Sequence, residues 1–195
     1  MEQKYQFPTE EVTLPSKGLL YPEGSPLRKG VIEMKYMTAK EEDILTNQNY
    51  IANGTVIDKL IKSLIVSKVD YNDLLIGDKN ALLIAARILG YGKDYSFQYK
   101  GETVKIDLTK IEDKVLDESL FEEGKNEFPF TLPTSKKEVT FKFLTHKDER
   151  AIEAEINGLK KINENVSAGV STRLKHVITS IDGDRTKSTI RNFVD

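Results

Sequence analysis

The side chains able to do chemistry are few and scattered. The chain holds two histidines, His146 and His176, and no cysteine. Thiolate chemistry and disulfides are excluded, and two distant histidines do not make a zinc site. His146 follows Thr145 in a helix-start pattern and reads as a surface residue. His176 lies beside an apolar stripe with no acid–nucleophile pair in view. Glu41, Glu42 and Asp43 form a dense acidic group. A cation could be held there, but a first helical turn explains both their type and their position. Asp182-Gly183-Asp184 lacks the spaced oxygens and closing Glu of a calcium loop. Gly90-Tyr91-Gly92 lacks the third glycine of a dinucleotide fingerprint and follows a helix, not a strand. Arg87, amid apolar residues, reads as a paired or snorkelling side chain. No catalytic, cofactor-binding or metal-ligating residue is expected.

The elements that would position these groups are easier to read. Residues 74–92 are the centrepiece: Leu82, Leu83, Ile84, Ala85, Ala86, Ile88 and Leu89 leave almost no polar face. That composition predicts a buried helix, with Asp78 as its N-cap and Gly90 as its C′ residue. Residues 1–30 are dense in Pro and Gly, which forbids a helix and predicts an extended arm. Leu19, Leu20 and Tyr21 make an apolar knot in it. The knot either covers the chain's own core or docks on a partner, which makes these three the candidate protein-interaction residues.

Ile32, Met34 and Tyr36 alternate with polar residues, as in a half-buried strand. Thr38 and Glu41 have capping-box spacing, opening a helix that should run to Asn53-Gly54. Ile57, Leu60, Ile61, Leu64 and Ile65 form a core stripe on the next helix. Tyr95, Phe97 and Tyr99, then Lys100-Gly101, then Val104 and Ile106 predict a β-hairpin. Its aromatic face could stack nucleic-acid bases, but without a basic surround it is expected to pack down on the core. Residues 109–127 read as an acidic connector.

From Leu132 the pattern starts again. Leu132-Pro133-Thr134-Ser135-Lys136 echoes Leu14-Pro15-Ser16-Lys17, and Val139, Phe141 and Phe143 echo Ile32, Met34 and Tyr36. Thr145 and Asp148 echo Thr38 and Glu41. A second helix carries Val170, Leu174, Val177, Ile178 and Ile181, and a third begins near Lys187. The chain is therefore divided into an arm (1–30), a first repeat (31–108), a connector (109–127) and a shorter second repeat (128–195). The fold class is α+β and helix-rich. One small sheet is expected to hold strands 31–37 and 138–144 and the hairpin 95–108.

Composition narrows the partners. Charges nearly balance at net −2, with 31% charged and 38% apolar residues. A sequence-blind grip on nucleic acid needs a clustered positive field, and an electrostatic membrane anchor needs the same. Neither partner is expected, and the N-terminus shows no secretory signal. A reducing cytoplasm is the expected setting.

Leu14-Pro15-Ser16-Lys17-Gly18-Leu19-Leu20-Tyr21-Pro22, Met37-Thr38-Ala39-Lys40-Glu41-Glu42-Asp43-Ile44-Leu45-Thr46, Leu74-Leu75-Ile76-Gly77-Asp78 and Arg87-Ile88-Leu89-Gly90-Tyr91-Gly92, in this order, resemble the baseplate hub family of T-even-like contractile-tailed phages. The resemblance covers most of the chain. It implies a late, non-enzymatic protein of hub assembly, either a small structural subunit or an assembly chaperone. Other hub and tail assembly proteins, and further copies of the chain, would be its partners. The implied location is the host cytoplasm during assembly and the virion tail baseplate. Some relatives carry Cys-x-x-Cys at the hairpin tip, where this chain has Tyr99-Lys100-Gly101-Glu102, so no metal is carried over. Relatives also continue past the equivalent of Asp195, in keeping with an unfinished second repeat. The alternative is an enzyme or nucleic-acid-binding module without recognisable motifs.

Overall fold

A computed structural model describes residues 8–112, 117–162 and 169–195. The fold is α+β, with more helix than strand (47% against 21%). It divides into two compact units, one from the described residues of 1–69 and 77–124, the other from 70–76 and 125–195.

In the first unit, β1 (Thr9–Thr13) pairs antiparallel with β2 (Val31–Lys35), Val12 opposite Ile32. The expected arm is therefore a sheet strand followed by a loop folded onto it. Gly18 permits the folding: at φ 79° its missing Cβ would lie 2.3 Å from the Arg28 carbonyl oxygen. After β2 come α1 (Ala39–Leu45), α2 (Gln48–Ala52) and α3 (Val56–Leu64). The single helix expected up to Asn53 breaks at Asn47, whose Oδ1 accepts from the N–H groups of Asn49 and Tyr50 and starts α2 anew. Beyond α3, Ile65 bridges Met34 and the Val66 N–H donates to the Glu33 carbonyl.

The long helix α4 (Ile76–Tyr91) differs from expectation at both ends and on its surface. It starts before Asp78, which is a buried residue inside its first turn. Gly90 lies within the helix, and its missing side chain leaves room for the Met37 sulfur, which fills the place a Cβ would take. Gly92, at φ 80°, ends it instead. Leu82 and Ala86 are buried, but Leu83 is 36% exposed, so α4 is not buried all round. Next comes the hairpin of β3 (Asp94–Tyr99) and β4 (Glu102–Asp107). Leu14, Leu27, Ile32, Met34, Ile61, Leu64 and Leu82 form the centre of this unit's core.

In the second unit, β5 (Phe128–Thr131), β6 (Glu138–Phe141) and β7 (Ile178–Ile181) form an antiparallel sheet in the order β5-β6-β7. Around it are α5 (His146–Ile162), α6 (Gly169–Val177) and α7 (Lys187–Val194). The expected helix through Ile181 stops at Val177, since Ile178–Ile181 pairs with β6. Val139, Ile181 and Ile190 form a small core with Leu132, Ile178 and Val194 against it.

The expected single sheet is not formed. Among the described residues the strands lie in three separate sheets, β1-β2, β3-β4 and β5-β6-β7.

The two stretches read as a repeat share local details. Lys17 and Lys136 both take left-handed backbone (φ 51° and 57°), donating to the carbonyls of Leu14 and Leu132. The Thr38 N–H and hydroxyl both donate to Glu41 Oε2 (2.9 and 2.5 Å), and the Lys35 ammonium reaches Oε1 at 2.8 Å. In the second unit the Thr145 N–H and hydroxyl donate to Asp148 Oδ2 (3.0 and 2.9 Å), with the Lys142 ammonium on Oδ1 at 2.7 Å. Thr38 and Thr145 each stand at a helix start after a strand.

Candidate interaction surface

The hairpin carries an exposed aromatic surface in the first unit. Lys100 and Gly101 both have positive φ (50° and 85°), which makes a type I′ turn and sets a two-residue hairpin. Side chains alternate between faces, so Tyr95, Phe97, Tyr99, Val104 and Ile106 share one. Their cross-strand partners agree: Tyr95 faces Ile106 and Phe97 faces Val104. Every residue of β3 is exposed, Tyr95 by 41%, Phe97 by 38% and Tyr99 by 57%. The expectation that this face packs down is overturned. Among the described residues of the first unit, the two strands of the hairpin chiefly contact each other.

The base of the hairpin is held by polar contacts. The Leu108 N–H donates to the Lys93 carbonyl at 2.9 Å, and Leu108 itself is buried. The Lys93 ammonium pairs with Asp107 at 3.0 Å. The Thr109 hydroxyl, then Lys93, then the Thr109 N–H hold the Asp107 carboxyl down at about 2. Arg87 is neither buried nor idle. Its guanidinium lies 5.0 Å from the Tyr91 ring and 5.7 Å from the Tyr95 ring, and it donates to the Gly92 carbonyl at 3.1 Å. Cation–π contact of this kind is attractive, worth about 0.5–1 kcal/mol at an exposed site.

The residues expected to form a docking knot lie elsewhere. Leu20 and Tyr21 are buried, and Leu19 is half-buried. The Tyr21 hydroxyl donates to Asp78 Oδ2 at 2.6 Å, and the Ser16 hydroxyl to the same oxygen at 2.7 Å. The Ser16 N–H donates to Oδ1 at 3.0 Å. Asp78 thus ties the loop to α4 instead of capping the helix. Of the two readings of the knot, this burial matches the one in which it covers the chain's own core.

Several titratable groups have structural partners. His146 is 3% exposed, its ring edge against Tyr71 at 4.6 Å and its N–H on the Leu74 carbonyl. It is a core residue, because residues 70–76 cover the start of α5. His176 Nε2 lies 3.1 Å from Glu155 Oε2. Glu127 accepts from Arg185, Thr179 and Thr140; chiefly Arg185, then Thr179, keep it near 2 against the upward push of burial. Burial pushes Glu41 up, but Lys35, Ser63 and Thr38 outweigh it and hold it at about 2. Asp148 is pulled down the same way by Lys142 and Thr145 against its burial. Carboxylates held this low are weak bases and cannot serve as acids near neutrality. Among the described residues no three His, Asp or Glu side chains converge as metal ligands, and no helix is long and apolar enough to cross a membrane.

The exposed face had a signal. The alternation of residues 95–106 announces one apolar face, but local pattern does not say what covers it. Comparison with models of protein families, with curated proteins and with solved structures returned no match.

Proposed function

We propose that this chain works by contact, as a structural subunit or assembly chaperone of the baseplate hub in a contractile phage tail. The hub assignment rests on the ordered sequence resemblance. The contact assignment rests on one observation, the exposed aromatic face of β3 and β4. Large aromatic side chains concentrate interface energy, and a two-stranded hairpin standing alone is marginally stable until something packs on it. The hairpin's charges balance: Lys93, Lys100 and Lys105 against Asp94, Glu102 and Asp107. That balance favours a protein surface over nucleic acid, since no counterion release drives the latter.

The test is a Phe97→Asp/Tyr99→Asp variant in an infection that depends on the chain. The expected result is an unchanged melting temperature with tails that stop before the hub is complete. Normal tails from this variant would overturn the hairpin as the contact surface. Normal tails without the chain would overturn the assembly role altogether. Mass spectrometry of finished particles separates subunit from chaperone: a subunit stays in them and a chaperone does not.

A further inference from the structure

We infer that the second unit binds one phosphate group in a cavity between α5, α6 and α7. The inference goes beyond the contact role and does not depend on it. The cavity measures about 150 Å³ and is lined by Glu155, Lys175, His176, Lys187, Ile190 and Arg191. Pockets for drug-sized ligands and cofactors run from about 300 to 1,000 Å³, so a whole nucleotide is too large for it. There is room for one compact ion, or for the end of a larger molecule.

The cavity holds cations that the chain leaves unmatched. Lys175 is engaged, its ammonium 2.6 Å from Asp195 Oδ1. Glu155, the one carboxylate among the lining residues, is engaged by His176, with Oε2 and Nε2 3.1 Å apart. Lys187 and Arg191 have no ion-pair partner among the described residues. They stand at i and i+4 on α7, where side chains share a face and like charges repel. No acidic residue lies in α7 to offset them. Ile190, buried in the small core with Val139 and Ile181, gives the cavity an apolar wall. Such a wall lowers the local dielectric and strengthens attraction between charges beside it.

These features select the ligand. Two unmatched cations call for two negative charges. A phosphate monoester carries about −1.5 to −2 near neutrality, whereas a carboxylate carries one charge. The guanidinium offers five N–H donors and the ammonium three, more than the two oxygens of a carboxylate need. Three phosphate oxygens use them better, and charge-assisted bonds of this kind are the strong ones. A nucleic-acid backbone brings one charge per phosphate and is held by cations spread along it, but here the cations gather at one small cavity.

Amide NMR titration of the isotope-labelled full chain tests the site, with inorganic phosphate as the probe. Low ionic strength keeps exposed charges unscreened. Saturable shifts are expected at the amides of Lys175, His176, Lys187 and Arg191. Lys187→Gln and Arg191→Gln should each weaken binding roughly tenfold or more, the weight of a hydrogen bond to a charged group. Arg173→Gln removes an exposed α6 cation that does not line the cavity, and should leave binding unchanged. Melting by circular dichroism separates loss of binding from loss of fold. Acetate should bind at least about tenfold more weakly, since it brings half the charge. Glycerol phosphate distinguishes two sources of the group. Binding as tight as inorganic phosphate assigns the end of a larger molecule, and exclusion of the ester assigns the free ion. Shifts that never saturate, a loss at Arg173→Gln equal to that at Arg191→Gln, or acetate that binds as tightly as phosphate would each overturn the inference. None of these outcomes bears on tail assembly, so the contact role stands or falls by its own test.

Discussion

The knot at Leu19–Tyr21 and the hairpin face at Tyr95–Tyr99 have nearly the same apolar character in sequence and opposite fates in the fold. The first lies in a Pro-rich loop that looks free to dock, yet Leu20 and Tyr21 are buried and Tyr21 is bonded to Asp78. The second alternates like a strand that should pack down, yet its rings are exposed. The difference is a matter of what else reaches each segment. Gly18 lets the loop approach the backbone at Arg28, and Asp78 on α4 presents a carboxylate to Ser16 and Tyr21. The hairpin leaves the helix beyond Gly92 and meets no second layer among the described residues of its unit.

Substitution can break this contrast, and the largest effect is expected at the knot. Leu19→Asp/Tyr21→Asp should lose the folded first unit, because Tyr21→Asp sets a second carboxylate beside buried Asp78. An unpaired buried charge costs about 3–5 kcal/mol, and circular dichroism melting reads the loss. A variant that melts normally would put the knot on the surface after all. Next in size is the pair on α4. Leu82→Ala should cost about 2–5 kcal/mol in urea unfolding, while the same change at half-exposed Leu83 should cost well under half of that. Equal losses would mean that α4 is buried on both faces.

Acid sharpens the comparison within the core. Glu41 ionises at about 2 in the fold against 4.5 when unperturbed. A depressed carboxyl stabilises fully above its unfolded value and loses that contribution as pH falls toward the folded one. Stability should therefore drop between pH about 4.5 and about 2, and Glu41→Gln should flatten the drop in that window. A variant with the same acid profile as the parent would remove Glu41 from the account. Smaller again are the two helix starts. Thr38→Ala and Thr145→Ala should each cost about 1 kcal/mol, measured by chemical unfolding. The smallest effect is at the exposed rings: Phe97→Asp should change stability by less than about 0.5 kcal/mol.

Local chemistry was legible wherever a residue finds its partner within a few positions. The Thr38–Glu41 and Thr145–Asp148 caps and the Lys100-Gly101 turn depend on spacing and backbone preference, and the amino-acid sequence determines them alone. The α+β class follows from the same signals. What the tertiary structure decided is the cover over each apolar segment. Asp78 has the type and the place of an N-cap, but Ser16 and Tyr21, far away in sequence, claim its carboxylate. His146 occupies the position that Ala39 holds in the first repeat, where Ala39 is exposed. Residues 70–76 bury His146 because the Ile76 N–H bonds the Leu144 carbonyl and Leu75 bridges Thr145. Periodicity shows that a face is apolar. Whether water, the chain itself or a partner lies against it depends on contacts between residues distant in sequence, and no local pattern carries that information.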